Sequence, residues 1–430
     1  MLERLFHLRA NGTTVGTEVL AGATTFLTMA YIIFVNPAML AQTGMDKGAV
    51  FAATCIVAAL GSAVMGLYAN YPIALAPGMG INAYFTYGVV LGMGHSWQVA
   101  LGAVFVSGCL FMILAVTRVR EAIINAIPHS QKLAISAAIG LFLAIIALQS
   151  AGIVVANKAT LVALGDVTAP PAVLAIIGFF VMVALDARKV PGAMLIGIIG
   201  VTVAGMAMGV TPFGGVFSLP PSVAPTFLQM DVAGALNLGV VTIVFAFLFV
   251  DLFDNAGTLI GLAQRAGMLD ENDRLPRIGK ALIADSTAVL ASGVFGTSAT
   301  TSYIESAAGI KVGGRTGLTA VVVAVLFLLA LFLAPLASSI PAYATAPALM
   351  YVAAMMMRSL AEIDWEDPTE SAPALVTALT MPMTFSIADG IAFGLIAYAG
   401  IKVLAGKWRQ VSITVAILAV FFVLKYAFLG

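Results

Sequence analysis

The chain has 430 residues, 61% of them hydrophobic and only 9% charged, and its 20 basic and 20 acidic side chains leave a formal net charge of zero. A soluble domain carries about 25% charged residues, so this composition excludes a soluble globular fold, and the balanced charge offers no electrostatic hold on nucleic acid or on an acidic partner. Cys55 and Cys109 each lie in an apolar run and read as small buried hydrophobes, and no Cys/His spacing indicates a metal site.

Residues 1–16 are polar and mixed in charge, and no small-residue cleavage site follows the first apolar run, so a cleavable signal peptide is not expected. A membrane-crossing helix needs about 20 mostly apolar residues. In chain order the candidates are 17–35, 50–68, a glycine-rich piece at 72–90, 97–116, 133–150, 171–185 and 191–209. A loop rich in proline and glycine follows at 210–235. The second series runs 236–262, 278–295, a polar piece at 297–310, 318–337, 347–360, 372–385, 387–405 and 411–428. The expected fold class is therefore an all-α polytopic membrane protein of about 14 spans, with the segment at 411–428 left over, crossing or lying against the bundle. Glu18 reads as interfacial, and Glu362, Asp364, Glu366, Asp367 and Glu370 read as a polar loop.

Basic residues give an orientation. With a cytoplasmic N-terminus, Arg4, Arg9, Arg118, Arg120, Lys132, Arg188, Lys189, Arg265, Arg274, Arg277, Lys280, Lys311 and Arg315 all fall on one side, with Lys47 and Lys158 as exceptions. This is the positive-inside pattern of a multi-pass protein.

Seven spans precede the loop at 210–235, so the second half starts with the opposite orientation. Residues 1–209 and 236–430 read as two inverted repeats joined by an extracytoplasmic linker. Each repeat has a polar, glycine-broken third segment. Pro77, Gly78 and Gly80 break the first; Gly296 breaks the second, where Thr300, Thr301 and Ser302 offer helix N-caps. Paired interrupted segments at corresponding places in two halves point to a transporter's binding site. Each reads as an extended entry followed by a half-helix, with the free N–H groups of the two half-helices facing each other. A packing role for these glycines is the rival reading.

Acids at membrane depth are costly and suggest function. Asp251 and Asp254, three apart on one helix face, and Glu305, near the second half-helix, stand out; Asp285 and Asp389 are weaker candidates, Asp389 reading as a helix cap after Ser386. Tyr84, Phe85 or Phe253 offers a ring for stacking. A carboxylate in low dielectric takes up a proton more readily than in water, which makes Asp254 and Glu305 the coupling candidates.

Four stretches, APGMGINAYF at 76–85, DLFDNAGT at 251–258, GTSATTSYIESAAG at 296–309 and SIADGIAFG at 386–394, carry a resemblance to the azaguanine-type purine permeases within the nucleobase/ascorbate transporter group. The resemblance implies two inverted seven-span repeats. It implies a core domain (approximately 17–127 and 236–338) and a gate domain (approximately 128–209 and 339–430). It further implies import of hypoxanthine, guanine or adenine by proton symport without a cofactor, by a homodimer in the cell inner membrane. Its binding residues carry over to Asp251, Asp254 and Glu305, with Asn82 and Gly80 in the third segment and Thr258 in the eighth span; Thr301 and Ser302, from the broken tenth segment itself, complete the candidate substrate-binding set. An anion transporter of the same architecture and a sodium-coupled nucleobase transporter remain the alternatives. No nucleophile–base pair or HExxH motif marks an enzyme.

Overall fold

The computed structural model describes residues 2–117, 128–265, 268 and 275–428. After a short surface helix α1 (Leu2–Phe6), the first apolar segment forms two helices, α2 (Val15–Met29) and α3 (Ile32–Leu40). Helix α4 (Lys47–Val64) runs on into a π-helical turn at Met65–Ala69 and stops at Asn70 in the left-handed region. An extended stretch β1 (Leu75–Pro77) leads into α5 (Met79–Ala83), which continues as a π-helix over Tyr84–Gly92. Then come α6 (Trp97–Thr117), α7 (His129–Ser150), a hairpin of β2 (Val154–Asn157) and β3 (Leu161–Leu164), α8 (Pro170–Ala187) and α9 (Ala193–Ala207).

The proline- and glycine-rich loop is fastened to the bundle by its backbone, with Ser218 N–H donating to the Phe332 carbonyl and Leu228 N–H to that of Val294. The second series is α10 (Val232–Ala235), α11 (Leu238–Arg265), α12 (Ile278–Phe295), β4 (Thr300–Ser302), α13 (Ser306–Lys311), α14 (Gly317–Ala330), α15 (Ala334–Ser339), α16 (Ala342–Met356), α17 (Pro368–Thr384), α18 (Ile387–Leu404) and α19 (Ile413–Phe428). Among the described residues eight helical stretches are long and apolar enough to cross a membrane, and three shorter apolar helices accompany them.

Helices α2, α4, α6 and α11–α14 pack mainly on one another, as do α7–α9 and α16–α19. Small residues set the closest approaches. A Cβ on Gly317 would fall 1.9 Å from the Gly66 carbonyl oxygen, so the start of α14 and the end of α4 touch backbone to backbone. The leftover C-terminal segment is a helix lying along α18. Tyr426, near the end of α19, stacks on Phe393 at 5.2 Å and donates to Asp389 in the first turn of α18, so the two helices run antiparallel.

Three sequence expectations are corrected. Glu18 is fully buried rather than interfacial: its carboxylate accepts from the backbone N–H groups of Arg315 (2.8 Å) and Thr319 (3.1 Å) and from the Thr319 hydroxyl (2.6 Å), capping α14 from α2. Glu370 is not loop but lies in the first turn of α17, where it pairs with buried Lys402 at 2.5 Å. A proline at N1 and the Asp367 cap start that helix earlier than the charge run indicates. Thr300, Thr301 and Ser302 are extended and do not cap; the following helix starts at Ser306 with Glu305 at its N-cap position.

Candidate functional site

The two broken segments meet. β1 and β4 pair antiparallel with Leu75 opposite Ser302, Ala76 opposite Thr301 and Pro77 opposite Thr300. Around this pairing, Gly78 N–H donates to the Ala299 carbonyl (3.0 Å), Tyr303 N–H to that of Ala74 (2.9 Å), and the Tyr303 hydroxyl to that of Pro77 (2.6 Å). The Ser306 and Ser62 hydroxyls accept from the N–H groups of Ala74 (3.0 Å) and Leu75 (2.9 Å). Non-helical backbone at membrane depth persists only where protein supplies such partners. Pro77 and Gly78 end the first extended stretch. Gly296, at φ 86° in the left-handed region, ends α12 and releases the second. Because the strands are antiparallel, α5 and α13 leave the crossing in opposite directions.

Side chains at the crossing keep unused capacity. Asn82 Nδ2, Thr301 Oγ1, Ser302 Oγ, Tyr84 Oη, Thr86 Oγ1 and both side-chain polar atoms of Asn255 are buried without a hydrogen-bond partner among the described residues. Buried polar atoms are normally satisfied, and leaving one unsatisfied costs about 1–3 kcal/mol. A group of them at one place therefore asks for a polar ligand or water. The Asn82 amide has a defined orientation, since Ser298 donates to its Oδ1 and leaves Nδ2 as the spare donor. Behind Ser298, Asn36 Nδ2 donates to Thr54 and to Thr297, each at 2.8 Å, tying α3 and α4 to the turn before β4.

Helix α11 packs against β4, α5 and α13. Asp251, Asn255 and Thr258 are buried on it at spacings of four and three, one face of the helix. Asp251 is 2% exposed. The side chains of Asp254 and Phe253, together with Gly257, lie outside the described residues. Glu305 is half-buried and its Oε1 accepts from the Tyr31 hydroxyl at 2.6 Å. Gly80 sits where α5 meets α7; a Cβ there would fall 2.5 Å from Ile139 Cγ2. Asp285 is fully buried on α12. Tyr84 and Phe85 pack on Phe247 of α11 at 5.1 and 6.5 Å, so both rings are already engaged by protein.

Residues 16–393 match the profile of the Permease family, the xanthine/uracil permease type. The chain belongs to this permease family. It is 48% identical to the adenine permease AdeP of Escherichia coli, over 100% of the chain and 96% of that protein. It is 44% identical to the guanine/hypoxanthine permease PbuG of Bacillus subtilis, over the whole of both. Among solved structures it shares its fold with the transmembrane domain of the cyanobacterial bicarbonate transporter BicA. The TM-score is 0.65 at 17% identity, covering 90% of the chain and 97% of that domain.

In the permease, then, Asn82, Thr301 and Ser302 are brought together with β1, and Asp251 and Thr258 lie on the helix packed over them. Glu305 stands a turn away, against Tyr31. The residues that sequence reading missed are Asn36, Tyr31, Asn255 and Ser298. Asn255 had a readable signal, its place between Asp251 and Thr258 on one helix face. The others are single polar residues whose role depends on partners far away in the chain.

Proposed function

We propose that the permease imports purine nucleobases, with adenine, guanine and hypoxanthine as the candidate substrates, by proton symport. The observation that carries this reading is the set of unpartnered buried polar atoms, Asn82 Nδ2, Thr301 Oγ1 and Ser302 Oγ, at the crossing of two broken segments. A neutral purine presents ring nitrogens and, at C6, an oxo or amino group, which match an amide donor and two hydroxyls. Asp251 and Glu305 supply carboxylates for its N–H groups, and charge-assisted bonds in a dry site are the strong ones. The names of the relatives AdeP and PbuG support the same substrate class.

In this reading the chain is two inverted repeats of seven spans with its N-terminus in the cytoplasm, a homodimer of the cell inner membrane. The core domain carries the crossing past the gate domain. A cleft of about 660 Å³, lined by Gln42, Gln149, Ser150, Thr211 and, from the π-helical stretch, Tyr87, offers the approach. Clustered carboxylates do not all ionise cheaply in low dielectric, and a neutral substrate brings no compensating charge. Proton uptake by Glu305 or Asp254 offsets that cost and links the two fluxes, since a ligand favours the state it binds better.

The test is uptake of radiolabelled purines into proteoliposomes. Uptake should need an inward proton gradient, proceed without sodium and acidify the lumen, and Glu305→Gln should abolish it at normal protein levels. Uptake driven by a sodium gradient at symmetric pH would overturn the coupling. Transport of bicarbonate or sulfate with none of the purines would overturn the substrate.

A further inference from the structure

Two basic residues at the start of α12 are held on tyrosine rings at the end of α4. The Arg277 guanidinium carbon lies 4.8 Å from the centre of the Tyr71 ring, and Lys280 Nζ lies 5.3 Å from that of Tyr68. Tyr71 is buried, and its hydroxyl donates to the Pro276 carbonyl, which ties the approach to α12 to the end of α4. Both cations are exposed, and neither forms an ion pair among the described residues. Between them Gly279 faces open space: a Cβ there would meet nothing within 4 Å. Their depth is set by the helices. Tyr68 lies in the last turn of the apolar stretch Lys47–Ala69 and Lys280 in the first turn of Ile278–Phe295, both long enough to cross a membrane. Leu67, next to Tyr68, is 51% exposed, as a lipid-facing side chain of a span is. A tyrosine in this position belongs to the aromatic belt at the membrane–water boundary.

We propose that Arg277 and Lys280 bind the headgroup phosphate of an anionic phospholipid, with Tyr68 and Tyr71 holding the two cations at the membrane boundary. The planar guanidinium offers paired donors to two phosphate oxygens, and the ammonium adds a point charge on the same group. Contact with a ring restricts each side chain before the lipid arrives, so less freedom is lost on binding. Gly279 leaves room for the headgroup between them, and the acyl chains run past Leu67. A choline headgroup brings its own cation to the same place and is disfavoured. The site is independent of what the permease carries.

The experiment titrates the purified permease in mild detergent with phosphatidylglycerol, phosphatidylcholine and inorganic phosphate, and reads the bound ligand by native mass spectrometry. Phosphatidylglycerol should bind in preference to the other two. Arg277→Gln/Lys280→Gln should raise the apparent Kd of the first bound phosphatidylglycerol about twenty-five-fold, a cation near the membrane surface being worth about fivefold. Gly279→Glu meets no neighbouring atom and puts an acid in the first turn of a helix, where it is favoured. It should weaken phosphatidylglycerol by a similar factor, and it remains informative if the double variant does not fold. Arg188→Gln/Lys189→Gln removes two exposed cations elsewhere and should bind phosphatidylglycerol as the wild type does. Wild-type affinity in both the Arg277/Lys280 variant and Gly279→Glu would overturn the proposal. An equal loss in the Arg188/Lys189 variant would trace the effect to diffuse charge and overturn it too. Tighter binding of inorganic phosphate than of the lipid, lost in the same variants, would assign the pair to a soluble anion and overturn the lipid.

Discussion

At the scale of single residues, Glu18 has the plainest energetic consequence. Its carboxylate takes four hydrogen bonds at the start of α14, from the N–H groups of Arg315, Thr316 and Thr319 and from the Thr319 hydroxyl, in a fully buried setting, and Arg315 is 297 positions away in the chain. Replacing it by alanine leaves buried N–H groups with no acceptor at a helix N-terminus. One lost hydrogen bond to a charged group costs about 1.5–3 kcal/mol, and more than one is lost here. Glu18→Ala should lower the melting temperature in detergent markedly, Glu18→Gln less so, with purine affinity of the folded fraction unchanged. A melting temperature equal to wild type in both would show that the cap contributes nothing. The same residue marks a limit of sequence reading. An acid at the entry of a first span has the same composition whether water or a distant helix end solvates it. Asp251 lies late in an apolar run, near enough to the cytoplasmic end for solvation to be the rival reading, and the fold buries it at 2% exposure.

Among the elements, the broken segments were the most legible part. Pro77, Gly78 and Gly296 interrupt apolar runs, and backbone chemistry then requires irregular structure. Their pairing with each other was not legible, because three-residue strands carry no periodicity and their partners are separated by more than half the chain. The N-caps were misread for the same reason: a threonine that offers a cap to a helix offers an equally good extended residue to a strand. Helix α5 yields a prediction of its own. Gly80 lets it approach α7 to the point where a methyl group would meet Ile139 Cγ2 at 2.5 Å. Ile139 is β-branched in a helix and cannot swing aside. Gly80→Ala should therefore impair uptake, overpacking of this kind costing about 1–3 kcal/mol, and Ile139→Ala should restore part of it. A double variant as inactive as Gly80→Ala would trace the defect to the glycine's backbone and not to the clash.

For the whole molecule, the crossing of β1 and β4 has a consequence for biogenesis. The backbone of residues 74–78 finds its partners at residues 299–303, so the first half of the chain enters the bilayer with an unsatisfied stretch that only the second half completes. Each unsatisfied group in hydrocarbon costs several kcal/mol, so the first half, still a nascent chain, cannot settle until more than two hundred further residues have been made. Neither half is then expected to persist by itself. A chain divided within the surface loop that follows α9, with both pieces made in the same cell, should reassemble and take up purine, whereas either piece alone should be degraded. Stable accumulation of the isolated first half would show that it finishes folding without its counterpart.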